Sequence, residues 1–237
     1  MFRGDLVMAE NKEIAFYNSF LEKCDLIFDI GAYDGHKAAA FLHFAQKVVC
    51  CEPDPHSFFF LSKRFGHSKK VALRQTAVSD QEGVERFFVD QPGSAFNTLN
   101  PKWKSILEKE GHKIFDRDFK FSTEHGVKSF VTTLDALMDE FGEPDFIKID
   151  VEGHEKNVLQ GLSRRVPCLS MEANLPYFYP ETLECLSWLR HLDEDARFNY
   201  AVDEKLQLPA FISYEDFLKI FASVQVSSCE VICKMRR

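Results

Sequence analysis

The stretch Asp29-Ile30-Gly31-Ala32-Tyr33-Asp34-Gly35 closes an apolar run with two glycines and two carboxylates. At the carboxyl end of a strand in an open α/β sheet, such a loop is where ligands bind. A dinucleotide site needs Gly-x-Gly-x-x-Gly, because its second glycine lets a pyrophosphate approach the backbone. Here Tyr33 holds that position, and Asp29 and Asp34 add negative charge where a dinucleotide brings its own. Both features speak against a nicotinamide-dependent oxidoreductase and suit a ligand with a cationic head. Glu52, about 20 residues after the loop, ends a second apolar run, where an acid can accept hydrogen bonds from both ribose hydroxyls. S-adenosylmethionine has a ribose, a sulfonium and an ammonium, and its carboxylate can sit at a helix N-terminus. A glycine turn followed by a solvated strand-end acid is the plain structural alternative.

A second cluster follows at Ile147-Lys148-Ile149-Asp150-Val151-Glu152-Gly153-His154-Glu155. Its three carboxylates repel one another where a strand gives way to a helix. A helix dipole accounts for Glu152 and Glu155, read as lying in the first helical turn. It leaves Asp150 unexplained, at the same sheet edge as Asp29 and Glu52.

Short apolar runs alternating with amphipathic helices predict βαβ units and a mostly parallel sheet with helices on both faces. Strands are expected at 26–30, 47–52, 71–76, 84–89, 145–150, 168–172 and 198–202, with a final antiparallel strand at 229–234. Helices are expected from Gly35 through Ala45, over Phe58–Phe65, Leu134–Phe141, Glu152–Gly161, Leu183–Leu192 and Tyr214–Phe221. Pro53 and Pro55 stop the second strand, since proline cannot continue a central ladder. The expected organisation is one domain over 1–237, with a helical lead-in at about 1–24. An irregular insert at about 91–128 reads as a lid or substrate loop with a short helix near Trp103–Lys109. Its Ser94, Phe96, Asn97 and Trp103 mix aromatic and polar groups suited to closing over a sugar; a plain surface loop is the alternative.

The 24 phenylalanines are core material, with a few available to line an apolar cavity. A net charge of −8 opposes docking on a polyanion, so no nucleic-acid partner is expected. Seven cysteines without a Cys-x-x-Cys pair are expected to be buried free thiols in a reducing compartment. No apolar run approaches the ~18 residues of a membrane span. The first residues lack the apolar stretch of a secretory signal. The cytoplasm is the expected location.

With these motifs in view, the chain resembles the FkbM family of methyltransferases over roughly residues 25–175. The family's Asp-x-Gly-Ala-Asn-x-Gly is matched by Asp29, Gly31, Ala32 and Gly35, with Tyr33 in place of the Asn. Its ribose acid and prolines are matched by Glu52, Pro53 and Pro55, and an Ala-x-x-Asp stretch by Ala77 and Asp80. Thr133-Leu134-Asp135, the run from Ile147 to Glu155, the following Val158, Leu159 and Gly161, and the strand acid Glu172 complete the match. The resemblance implies a Rossmann-like methyltransferase fold and a cofactor site that includes Ala77, and Asp80 near the adenine; a turn acid before Gly83 is the plain alternative for Asp80. It implies a hydroxyl acceptor on a sugar or small natural product. The family leaves the position of His154 open and has no counterpart for Gln91–Lys128.

A hydroxyl acceptor calls for a general base. His154 titrates near neutrality; a histidine turned to solvent is its plain alternative. Glu172 or Glu152, raised in pKa by acidic neighbours, is the rival. Asp150, Glu172 and Asn174 have the oxygen chemistry of a magnesium or calcium site. A metal is not favoured, because cofactor and dipole already account for these acids. The rival functions are nitrogen methylation of a protein or RNA, and cofactor binding without turnover. Neither the acceptor nor the oligomeric state is legible.

Overall fold

The computed structural model describes residues 3–121 and 127–236. Positions 1–2 of the lead-in and 122–126 of the insert lie outside the described residues. The chain opens with helix α1 (Arg3–Asn18), strand β1 (Cys24–Ile30), α2 (His36–Phe41), β2 (Ala45–Cys51), α3 (Pro55–Phe65) and β3 (Val71–Arg74). Then come β4 (Ala77–Val78), β5 (Gly83–Phe87), α4 (Pro101–Phe115), β6 (Val127–Thr132), α5 (Leu134–Phe141), β7 (Phe146–Ile149) and α6 (Glu155–Gln160). The rest is β8 (Cys168–Asn174), α7 (Tyr179–Leu192), β9 (Arg197–Val202), β10 (Lys205–Leu206), β11 (Ile212–Ser213), α8 (Tyr214–Phe221) and β12 (Ser228–Lys234).

The main sheet runs β10-β9-β12-β8-β7-β1-β2-β3, with β11 also on β9. From β8 to β3 every pairing is parallel, while β12 lies antiparallel to β8 and β9. The central strands read as apolar runs because both faces are covered. On β1, Leu26, Phe28 and Ile30 face the α5–α8 side, packing with Leu134, Leu159, Leu186 and Phe217. Ile27 faces α1–α3, with Tyr17, Phe41 and Leu61. This is the mostly parallel sheet with helices on both faces that the alternation predicts, in the Rossmann-like form that the resemblance implies. The chain leaves β1 outward toward β2 and β3 and returns at β7, so the strand order reverses between β1 and β7. In such sheets, the crevice at that reversal binds ligands.

Several boundaries differ from expectation. Helix α2 stops at Phe41, and Ala45 already opens β2, because the Phe44 carbonyl accepts the Cys24 N–H beside β1 at 2.9 Å. The insert carries a helix of 15 residues, α4, capped by the Asn100 side chain and entered through Pro101. A second sheet, β4-β6-β5, was not foreseen beyond one of its strands. All seven cysteines are buried free thiols, as read. Among the described residues, no helix is long and apolar enough to cross a membrane.

Candidate active site

The loop after β1 turns through Gly31, whose φ is 83°. The Gly31 and Ala32 N–H groups both donate to the Cys51 carbonyl at 3.0 Å, clamping the loop to the end of β2. Tyr33 also has a left-handed backbone, with φ 51°, and its N–H donates to Glu52 Oε2 at 2.8 Å. The other oxygen, Oε1, accepts the Asp54 N–H at 2.8 Å. Each Glu52 oxygen thus keeps a lone pair for a further donor. Glu52 lies on the wall of a cavity of about 280 Å³, with Gly31, Tyr33, Pro53, Ala77 and Asp150. Burial pushes its carboxyl up to about 7. This chemistry fits a ribose: two acceptor oxygens at a strand end, beside a backbone that approaches closely only because Gly31 has no side chain.

Ala32 and His154 also line this cavity; Asp29, Asp34, Gly35 and Asp80 do not. Asp29 is buried beneath the loop, with Oδ2 lacking a hydrogen-bond partner, and burial raises it to about 6. Asp34 starts α2 instead: its Oδ1 accepts the His36 N–H at 3.0 Å and lies 2.8 Å from the His36 ring. Asp80 Oδ1 accepts from the Ser79 hydroxyl at 3.0 Å. The His154 ring is buried, with Nε2 3.0 Å from that same hydroxyl, and burial lowers its pKa to about 4 despite Asp80 nearby. A solvent-turned histidine is therefore not what the chain builds.

The acidic cluster comes together around a different set. Carboxylate oxygens of Asp150, Glu152 and Glu172 lie within 4.8 Å of one another. Beneath them, Lys148 is only 2% exposed, with Nζ 2.7 Å from Asp150 Oδ2. Lys37 Nζ stands 3.8 Å from the same oxygen. Burial pushes the Asp150 carboxyl up, but the two ammonium groups outweigh it and hold it well below the usual carboxylate range. Burial and then the Asp150 charge raise Glu172 to about 7. Its two oxygens accept from Ser228 Oγ and Asn174 Nδ2, both at 3.0 Å. Burial, followed by the charges of Glu172 and Asp150, also takes Glu152 well above its ordinary value.

Glu152 is not in the first turn of a helix. It precedes α6 with a left-handed φ of 56°, a conformation that costs roughly 1–3 kcal/mol and needs support. The insert supplies it. Thr98 Oγ1 donates to the Glu152 carbonyl at 2.8 Å, Asn100 Nδ2 to the Gly153 carbonyl, and Trp103 Nε1 to Glu152 Oε2 at 2.8 Å. Glu155 begins the helix, its Oε1 accepting the Val151 and Gly153 N–H groups at 3.2 Å each. Glu152 lies on the wall of the cavity beside Glu52 and of a second cavity of about 670 Å³. The latter also has Trp103, Phe115, Glu172, Asn174 and Tyr177 on its wall. His154 is not part of this second cavity.

The sequence reading missed Lys37 and Lys148. Lys148 was detectable: alternation along β7 puts positions 148 and 150 on one face.

These shifts set the pH response of folding. Glu52, Glu172 and Glu155 are raised to about 7, 7 and 8, first of all by burial. The folded chain keeps protons there that the unfolded chain has lost, so this stabilisation is full below about pH 4.5 and fades as pH rises through 7–8. His154, lowered to about 4, acts oppositely and only below its ordinary value near 6.5. The thermal midpoint should therefore rise as pH falls from 8.5 to 6.5. A midpoint that falls over that interval would contradict these protonation states.

Residues 29–200 match the methyltransferase FkbM domain. Over 151 residues the chain is 30% identical to the 2-O-methyltransferase NoeI of Sinorhizobium fredii (strain NBRC 101917 / NGR234). That match covers 60% of this chain and 60% of NoeI, so the chain spans less than two thirds of that relative's length. Among solved structures, it is similar to the precorrin-6y C5,15-methyltransferase of Geobacter metallireducens GS-15. There the identity is 10%, coverage is 97% of this chain and 88% of that one, and the TM-score is 0.48. It is also similar to the ribosomal protein L11 methylase of Lactobacillus delbrueckii subsp. bulgaricus, at 9% identity, 100% and 81% coverage and a TM-score of 0.45. The domain match runs from the clamped glycine loop into β9 and takes in both carboxylate clusters: the chain belongs to the FkbM methyltransferase family.

Proposed function

We propose that this chain transfers the methyl group of S-adenosylmethionine to a hydroxyl of a small acceptor, a sugar or natural product. The observation that carries the reading is the position of Glu152, which lines both cavities and joins a ribose-competent pocket to an aromatic chamber. When bound, the cofactor supplies a methyl carbon that leaves its positive sulfur as the new carbon–oxygen bond forms, releasing a neutral thioether.

The chain's own residues do the rest. Glu52 accepts the ribose hydroxyls. Trp103, Phe115 and Tyr177 offer apolar faces to the acceptor, and alignment within a closed site supplies much of the rate. Glu172 takes the hydroxyl proton: its carboxyl sits near 7, where a base works best at neutral pH. Glu152, whose carboxyl burial and then the charges of Glu172 and Asp150 push well above its ordinary value, orients the acceptor. The geometry favours this carboxylate over His154, whose Nε2 is engaged by Ser79 on the donor side. Kinship with a 2-O-methyltransferase supports oxygen as the target, and the net charge of −8 supports a small acceptor over a nucleic acid. The buried thiols support a reducing compartment, the cytoplasm.

Incubation with methyl-labelled cofactor and a panel of sugars, lipids and extracts tests the reading, with label expected on oxygen. In single-turnover runs at saturating cofactor, Glu172→Gln should slow transfer about 10²–10⁴-fold and abolish a rate increase centred near pH 7. Label on protein nitrogen, or cofactor binding with no transfer to anything, would overturn the function. Full speed in Glu172→Gln with a large loss in His154→Ala would reassign the base.

A further inference from the structure

We propose that Lys37 and Asp150 together read the amino-acid tail of the methyl donor, Lys37 taking its α-carboxylate and Asp150 its α-ammonium. This rests on the donor assignment above; the sequence motifs already put Asp150 at the cofactor, and what they leave unassigned is Lys37 and which part of the donor each group meets.

Asp150 carries one negative charge and faces two ammonium groups. Lys148, 2% exposed and 2.7 Å away, is a complete hydrogen-bonded partner buried in the sheet. Lys37 stands 3.8 Å off, too far for a hydrogen bond and near enough to feel the same oxygen. Lys148 holds Asp150 in a hydrogen bond, while Lys37 makes none to it and keeps its ammonium donors for a further partner. Lys37 keeps 27% of its side chain exposed and lies on the wall of the donor-side cavity. It also borders a cavity of about 480 Å³ beyond Asp150. Of its other acidic neighbours, Glu13 is buried and lies 3.5 Å from the His36 ring, and Asp29 is buried beneath the loop, where Lys148 also faces it.

A carboxylate and an adjacent cation offered side by side match a zwitterion. Of the donor's parts, only the amino-acid end is one. The ribose belongs at Glu52, on the opposite side of Gly31, so the tail is the part that reaches the Asp150 side. A rim of anionic groups alone, as the sequence suggested, would repel that carboxylate; Lys37 removes the conflict.

Calorimetry on the full chain tests this with three ligands: S-adenosylmethionine, S-adenosylhomocysteine, and decarboxylated S-adenosylmethionine, which keeps sulfonium and amine but has no carboxylate. Lys37→Met should weaken the first two by about tenfold or more, the loss of one charge-assisted hydrogen bond. Affinity for the decarboxylated analogue should stay within about twofold, and Lys37→Arg should recover most of the loss. An equal loss for all three ligands would mean that Lys37 acts only by steadying Asp150, and no loss for any would mean that it touches no ligand; either overturns the proposal. If the unmodified chain binds none of the three, the donor assignment itself fails, an outcome seen before any variant is made.

Discussion

Gly31→Ala should be the most damaging single substitution in the donor loop, destabilising the fold by about 2–5 kcal/mol and abolishing detectable cofactor binding. Two costs combine. The left-handed φ of 83° charges any residue with a Cβ roughly 1–2 kcal/mol. A Cβ built there would also lie 1.8 Å from the Asp150 carbonyl oxygen, an overlap with backbone that no rotamer change relieves. The loop would have to lift away from β7, breaking its two hydrogen bonds to Cys51 and carrying Tyr33 away from Glu52. Urea titration and calorimetry measure the two effects; a variant with the original midpoint and affinity would show that the β1–β7 crevice is not built this way.

Glu52→Ala should weaken cofactor binding at least tenfold and also lower stability. The affinity loss follows from charge-assisted hydrogen bonds to the ribose, typically ~1.5–3 kcal/mol each, against ~1.4 kcal/mol per tenfold. The stability loss follows from the Tyr33 and Asp54 N–H groups, which would lose their 2.8 Å partners at about 1–3 kcal/mol for each buried donor left unmet. Glu52→Gln should fall between, since its amide has one acceptor oxygen where two donors converge. Unchanged affinity for Glu52→Ala would remove the ribose from this site.

Much of this architecture could be read from residues. The apolar runs of β1, β2, β7 and β8 announce strands because helices cover both their faces. Strand β6 escaped because its pattern is inverted: Phe130 is 72% exposed and Val127 40%. Helix α4 was under-read because Gly111 interrupts its periodicity. The structure supplies the reason for that glycine: the Phe119 ring lies 2.3 Å from where its Cβ would be. In the site, the spacing of the carboxylates is legible, and so is Lys148, two positions from Asp150 on one strand face. Lys37 is not: it belongs to α2, and only the pairing of β1 with β7 brings it to Asp150. Trp103 is legible as an aromatic suited to a sugar, yet its indole N–H contact with Glu152 spans 49 residues of sequence. No local pattern encodes such a contact.

The grip of Thr98, Asn100 and Trp103 on residues 152 and 153 bears on how this scaffold can be re-engineered. The two cavities share one mechanical joint, since Glu152 lies on the wall of both. A graft that reshapes the insert but drops those three anchors would let Glu152 relax out of its left-handed backbone. Retargeting is better pursued at Val224 to Ser227, which border the chamber from the segment before β12.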